Sequence, residues 1–534
     1  MNNIRYTFVN SKSGELIPAF INEEGNTQAL HSTVDPKREA ERLITSISEE
    51  IGFIVFLGLG GGFAPMAALE LTNAFVAVID YDGGSIKELF KSKDYSKLLN
   101  SERFKLLIDP CNEEIKNFIL ENFKPALHGG IKTIPLRART EHDKEKFEDA
   151  ASGLQEAINA VSGDYSVQAH FGVKWFINIL RNVKNARIFD AQKYNVLGEG
   201  FTEAAIVAAG PSLDSQIELL QKAKTRKVFI ISTDTACGVL LQNGIAPDVV
   251  VSIDCQHISY YHFIGNKPQN IPLVLDIASP PLLSGFSASP LFFSSGHPLA
   301  LYISKHWRNF PLLDTSGGNV TYACLSLAEF IGFKRVTLFG ADFSYVGSQS
   351  YARGTYLYPY FYKRQSRFTP VEAQSSAFLY RAPFIPAEDG NKKNYYETSS
   401  LRFYRKKLEE KARGMEAEII RAPGSGAQIS LQNFNHEPHQ PHEPTQIKRE
   451  EIKEKRNQQS SEEFLIQYKE DITALPAADG ANYLNKLNEK ERQVFTTLLP
   501  LAAAIKKRNA TLKFHEIIEE VKNFSVKEIE KVLE

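Results

Sequence analysis

The chain has 534 residues, 43% hydrophobic and 23% charged, with a net charge of −1. That length implies more than one domain, each with a core of its own. The near-zero charge excludes a protein that works by coating nucleic acid, because neutralising phosphates takes a basic surplus. Residues 36–51 read as an amphipathic helix, with Ala40, Leu43, Ile44, Ile47 and Ile51 at helical spacing. A short buried strand, Ile54–Leu57, then runs into Gly58-Leu59-Gly60-Gly61-Gly62. A second strand, Phe75–Ile79, ends at Asp80-Tyr81-Asp82, and a third, Phe104–Ile108, ends at Asp109. Residues 141–185 read as two helices.

This alternation predicts a Rossmann-like α/β domain over residues 1–185. Gly58-x-Gly60-x-Gly62, with Asp80 or Asp82 about 20 residues on, is the pattern of a dinucleotide or S-adenosylmethionine site. Phe63 departs from it. A degenerate domain kept for architecture or acceptor binding is therefore expected, with a methyltransferase as the rival.

Residues 186–430 repeat the texture and predict a second, doubly wound α/β domain. Its strand candidates are Ala205–Ala208, Val228–Ser232, Val249–Ile253, Leu273–Leu275 and Arg335–Phe339. The stretch 431–461 carries His436, His439 and His442 between Pro438, Pro441 and Pro444, and reads as a solvated linker rather than a metal site. Residues 462–534 predict a helical C-terminal domain, from Phe464, Leu465, Tyr468 and Ile472 to Ile517, Ile518 and Val521.

Cys111, Cys237, Cys255 and Cys324 are far apart, with no C-x-x-C pair. That argues against a disulfide framework or zinc site and fits a reducing compartment. Met1–Tyr6 lacks the apolar core of a secretory signal, and no apolar run reaches the ~18 residues that span a membrane. A cytoplasmic protein without a membrane span is expected.

Three pieces of the central domain carry chemistry. In the first, the strand Ala205–Ala208 meets Gly210-Pro211-Ser212-Leu213-Asp214. Gly210 allows a tight turn and close approach of a ligand. Pro211 and Ser212 suit a helix start, where free N–H groups attract phosphate. In the second, Asp234 and Asp254 follow strand ends, where doubly wound sheets bind ligands, and could hold ribose hydroxyls or Mg²⁺. In the third, Thr315, Ser316, Gly317, Gly318 and Asn319 precede an apolar helix, and Asp342 closes the strand after it. Tyr345, Tyr351, Arg353, Tyr356, Tyr358 and their neighbours crowd one following segment, which suits phosphate and carboxylate or a lid.

In this order the pieces resemble the motility-associated factor (Maf) glycosyltransferases, best over residues 200–430. The resemblance implies transfer of a nonulosonic acid, of pseudaminic or legionaminic type, from a CMP-sugar to Ser/Thr of flagellin, for flagellar assembly and motility. It implies no required metal or cofactor. A more distant likeness to bacterial CMP-sialic acid transferases implies donor contacts from Thr315, Ser316, Gly317, Tyr345 and Tyr351, with Asp234 at a nucleotide-contacting place. Those enzymes use a histidine base where this chain has Asn394-Tyr395-Tyr396-Glu397-Thr398. The base candidates are therefore Asp342, Glu397 and His297. Gly210, Pro211, Ser212, Asp254 and Asn319 complete the expected donor site. Two rivals stand beside this reading. One is a pterin pyrophosphokinase-like diphosphotransferase using ATP with Mg²⁺. The other is a non-catalytic flagellin-binding protein whose helical tail docks its partner.

Overall fold

The computed structural model describes residues 6–21, 26–186, 194, 196–388, 394–431, 459–477 and 483–534. His436, His439 and His442 lie outside the described residues. The chain forms two compact units, one of Met1–Val173 with Tyr468–Lys527, the other of Lys174–Gln467 with Glu528–Glu534.

In the first unit, β1 (Thr7–Asn10), β2 (Leu16–Ile21) and β3 (Thr27–Ala29) form a small antiparallel sheet. β4 (Phe53–Leu57), β5 (Phe75–Asp80), β6 (Phe104–Ile108) and β7 (Ile131–Pro135) form a parallel sheet in the order β6-β5-β4-β7. β4 and β5 are buried throughout, because apolar layers cover both faces of the sheet. The helix Pro36–Thr45 begins where Asp35 accepts the Arg38 N–H at 3.0 Å, and it turns Ala40 and Ile44 inward.

Residues 141–185 form one helix, Lys144–Asn185, where the sequence suggests two. Its interior holds Gly153, Gly163 and Gly172 but no proline, and an isolated glycine costs a helix only about 1 kcal/mol. Gly172 provides space, since a Cβ there would run into the Pro500 carbonyl. Pro500 belongs to the helix Glu489–Arg508, which opens with a capping box of Asn488 and Glu491 and buries Val494, Phe495, Leu498 and Leu501. Tyr468 and Thr497 share a buried hydrogen bond, and Lys522 Nζ donates to the Leu475 carbonyl at 2.6 Å. The C-terminal helices thus supply core to this unit.

In the second unit, seven parallel strands run in the order β12-β11-β10-β9-β8-β13-β16. They are β8 (Glu203–Val207), β9 (Phe229–Thr233), β10 (Val249–Ser252), β11 (Leu273–Asp276), β12 (Pro290–Phe293), β13 (Arg335–Phe339) and β16 (Glu418–Arg421). The chain steps outward from β8 to β12, then returns to place β13 on the other side of β8. The strand order therefore reverses between β8 and β13, and ligands of such sheets bind at that switch point, beyond the carboxyl ends. The helix Val320–Ile331 packs across β8, β9 and β10 with nearly every residue buried, and Gly332 closes it in the left-handed conformation (φ +92°). β14 (Phe384–Glu388) and β15 (Asn394–Thr398) form a separate hairpin.

Candidate functional site

β8 and β13 carry the switch point. Beyond β8 the Gly210 N–H donates to the Gly340 carbonyl at 2.8 Å. A Cβ at 210 would meet Asp342 Oδ2 at 2.6 Å, so only glycine admits this approach. The Ser212 N–H donates to Asp342 Oδ2 at 2.7 Å, its hydroxyl donates to Oδ1, and Arg421 Nη2 donates to Oδ1 at 3.2 Å. Burial raises the Asp342 pKa, while Ser212 and Arg421 oppose the rise. Both oxygens of Asp342 are engaged in holding the Gly-Pro-Ser turn against β13.

Asp234, at the end of β9, is 1% exposed. Its Oδ1 accepts from the Thr235 N–H at 2.7 Å and its Oδ2 from the Ser252 hydroxyl at 2.8 Å, which ties β9 to β10. Asp254, just past β10, accepts the Gln256 N–H at 2.9 Å. Burial raises its pKa, and Asp234 adds to the rise.

The tyrosine-rich segment lies over this edge. Ala352 N–H donates to the Ala209 carbonyl at 2.8 Å, Arg353 N–H to Asp214 Oδ1 at 2.9 Å, and Gln242 Nε2 to the Gly354 carbonyl at 3.2 Å. These bonds place Tyr351 and Tyr356 near Asp234. Burial raises both phenols. Tyr356, Tyr345 and Asp234 raise Tyr351 further, Asp234 and Asp254 raise Tyr356, and Arg381 pulls both down. Tyr345 N–H donates to the Tyr396 carbonyl at 2.7 Å, which joins the segment to the β14-β15 hairpin.

Beyond β12 the chain turns at Thr315–Asn319 into the helix Val320–Ile331. That helix runs back along the sheet, so its start lies at the carboxyl edge. Asn319 caps it by accepting the Tyr322 N–H at 3.0 Å. Asp314 accepts the Ser316 N–H at 2.9 Å and the Tyr322 hydroxyl at 2.6 Å. Burial works against the Asp314 carboxylate, yet Tyr322, Ser316 and Lys411 together hold its pKa below the usual value. A Cβ on Gly317 would strike the Tyr322 ring. Cys324, one helical turn in, has its thiol pushed up by burial and then by Asp234.

Asp254, Tyr351 and Tyr356 thus stand near Asp234, the Gly210-Pro211-Ser212 turn is tied to Gly340 and Asp342 across β8 and β13, and the Thr315–Asn319 turn opens the helix that packs on β8, β9 and β10. The three base candidates hold bonds of their own. Asp342 is engaged as described. Glu397, 1% exposed, bonds Arg402 Nε at 2.5 Å and Arg405 Nη2 at 3.4 Å. His297 caps the helix Pro298–His306 through Nδ1, which accepts the Leu299 N–H at 3.2 Å, and burial lowers its pKa to about 3.

Asp276, at the end of β11, is absent from the sequence candidates although it too is an acid at a strand end. It accepts the Ala278 N–H at 2.8 Å, and burial pushes its pKa up to about 6 against a hydrogen bond from Ser295. The loops beyond β10 and β11 are pinned by Asn178, to the Cys255 and Ala278 carbonyls at 3.1 and 2.9 Å, and by Asn182, to the Ile277 and Ser279 carbonyls at 2.8 Å each. Their i, i+4 spacing on one helix was the available signal. Among the described residues no group of three or more His, Cys, Asp or Glu is arranged to hold a metal ion.

The glycine-rich turn of the first unit is filled by its own protein. Asp80 is wholly buried and accepts the Leu59 N–H at 2.7 Å and Arg139 Nη2 at 2.9 Å. His31 Nε2 accepts the Gly61 N–H at 2.8 Å. A Cβ on Gly60 would meet His31 and Leu136, and one on Gly58 would meet Arg139 Cγ at 2.9 Å. Side chains thus occupy the approach a pyrophosphate would use.

Over 99% of its length the chain superimposes on 92% of a MAf glycosyltransferase from Magnetospirillum magneticum AMB-1, with a TM-score of 0.56 and 14% identity. The fold is thus of the MAf glycosyltransferase class, as the motif resemblance implied. Residues 177–348 match the family described as 6-hydroxymethylpterin diphosphokinase MptE-like. An uncharacterized protein of Treponema pallidum (strain Nichols) is 37% identical over 128 residues, which are 23% of this chain and 45% of that protein, so the match spans less than half of that relative. A second uncharacterized protein of the same organism is 33% identical over 171 residues, 31% of this chain and 78% of the relative. The chain belongs to the family of this second protein.

Proposed function

We propose that the protein is a cytoplasmic glycosyltransferase that passes a nonulosonic acid, of pseudaminic or legionaminic type, from a CMP-sugar to Ser/Thr of flagellin, in support of flagellar assembly and motility. The observation that supports this reading is that Asp254, Tyr351 and Tyr356 stand near Asp234 at the carboxyl edge of the sheet, beside the Gly210-Pro211-Ser212 turn at the switch point. Ser316 and the N–H groups at the start of the helix Val320–Ile331, with Tyr351 and Tyr356, suit the phosphate of CMP. Arg381 suits the sugar carboxylate. A CMP-linked sugar carries its own leaving group, so the residues bind, orient and stabilise departing charge, and a single inverting displacement is expected. No metal is required for these steps.

Two measurements test the reading. Ser316→Ala and Tyr351→Phe should each weaken CMP binding, by about 1–2 kcal/mol or roughly 5- to 30-fold in Kd, with the melting temperature little changed. Unaltered affinity in both would remove the site. Flagellin from a strain lacking the protein should lose its glycan mass.

The MptE-like match favours a second reading, diphosphate transfer from ATP with Mg²⁺ to a pterin-type alcohol. Asp234 and Asp254 would then face the metal. Thermal protection by ATP with Mg²⁺ but not by CMP would select it.

A further inference from the structure

Asp342 and Glu397 are engaged by Ser212, Arg421, Arg402 and Arg405, and His297 spends Nδ1 on its helix cap while its Nε2 is enclosed without a partner. A transfer at this site needs a proton acceptor, and His262 is a further candidate. It ends the short helix Ile258–His262 that follows Asp254. Its ring stands edge-on to Tyr356 with centroids 4.6 Å apart. Asp254 lies close enough for an imidazolium at 262 to ease its carboxyl toward ionisation. The residue is half-buried, with Nδ1 enclosed and unpartnered. Thr355 Oγ1, next along the chain from Tyr356, is likewise enclosed and unpartnered. Enclosed polar atoms without partners are rare in folded proteins.

We propose that His262, supported by Asp254, is the general base of the site. This rests on the glycosyl-transfer reading above. As the acceptor hydroxyl oxygen bonds to the anomeric carbon, its proton passes to the His262 imidazole. The carbon–oxygen bond to the phosphate breaks, and CMP departs with that electron pair. The carboxylate of Asp254 stabilises the imidazolium so formed. Tyr356, which the ring meets, has Arg381, Asp234 and Asp254 as its charged neighbours, and Asp254 in turn has His262.

The test uses the full chain and purified flagellin, with CMP as the binding probe and a CMP-linked nonulosonic acid as the donor. His262→Gln should bind CMP within about 3-fold of wild type. Its CMP release should fall by about 100-fold or more. Asp254→Asn should lower CMP release in wild type but add little in a His262→Gln background, a coupling that a merely structural role would not produce. A folded His262→Gln protein with wild-type turnover overturns the assignment and leaves the site reading standing. Failure of wild type to bind CMP overturns both. Should His262→Gln not fold, His262→Asn provides the same comparison.

Discussion

Ser212 and Asp342 lie 130 positions apart in the chain, yet two hydrogen bonds join them where the strand order reverses. Ser212→Ala removes one of those bonds from a buried carboxyl, with an expected loss of about 2 kcal/mol of stability, read as an earlier urea midpoint. Asp276 offers a pH test. Its folded carboxyl keeps a proton up to about pH 6, whereas the unfolded one releases it near 3.8. The folded state therefore binds the extra proton inside that window. Its stabilising contribution is complete below the window and is lost as pH rises through it. Relative to Asp276→Asn, wild type should lose about 2 kcal/mol between pH 4 and pH 6, and parallel stability curves would refute this. Gly210, Ser212, Asp234 and Asp254 are legible in the sequence because a strand, a turn and a helix start stand side by side there. Asp342 is legible as an acid at a strand end, but its commitment to Ser212 and Arg421 is not, since those partners come from distant segments. Asp276, an acid at the end of the strand Leu273–Leu275, carries the same mark as Asp342, whereas His262 carries none.

Among elements, the glycine-rich turn shows how a recognisable pattern can be spent on packing. His31 accepts a backbone N–H there, and burial, then Lys93, lowers its pKa to about 4. This support is complete above the ordinary pKa of 6.5 and is lost as pH falls toward 4. Gly60 adopts φ +52° with its side-chain space filled by His31 and Leu136. Gly60→Ala should therefore lower stability by about 1–3 kcal/mol, and neither NAD nor S-adenosylmethionine should raise the melting temperature of wild type. Protection by either would show that the turn opens to a ligand. The parallel strands β4, β5, β8, β9 and β10 stand out as apolar runs because both faces of their sheets are covered. β1–β3, β7, β16 and the β14-β15 hairpin are short and mixed in character, and only their tertiary neighbours decide them. The long helix Lys144–Asn185 reads as two because its glycines imitate breaks.

For the molecule as a whole, the unit containing β4–β7 also contains Tyr468–Lys527. Truncation after residue 430 should therefore destabilise the N-terminal sheet. The expected result is rapid proteolysis of residues 1–173 under conditions where the intact chain resists, and equal resistance would show those helices to be dispensable. Neither the pairing of Gly172 with Pro500 nor the contribution of the last helices to the first core leaves a periodic trace, because contacts between chain ends are invisible to any local window.

That discontinuous unit has a consequence for synthesis. Ribosomes emit about 5–20 residues each second, so the first unit waits roughly 15–60 seconds for helices translated close to three hundred positions later. During that interval the side of the long helix that Pro500 packs against at Gly172 stays uncovered, a natural client for holdase chaperones, and slower translation lengthens the hazard.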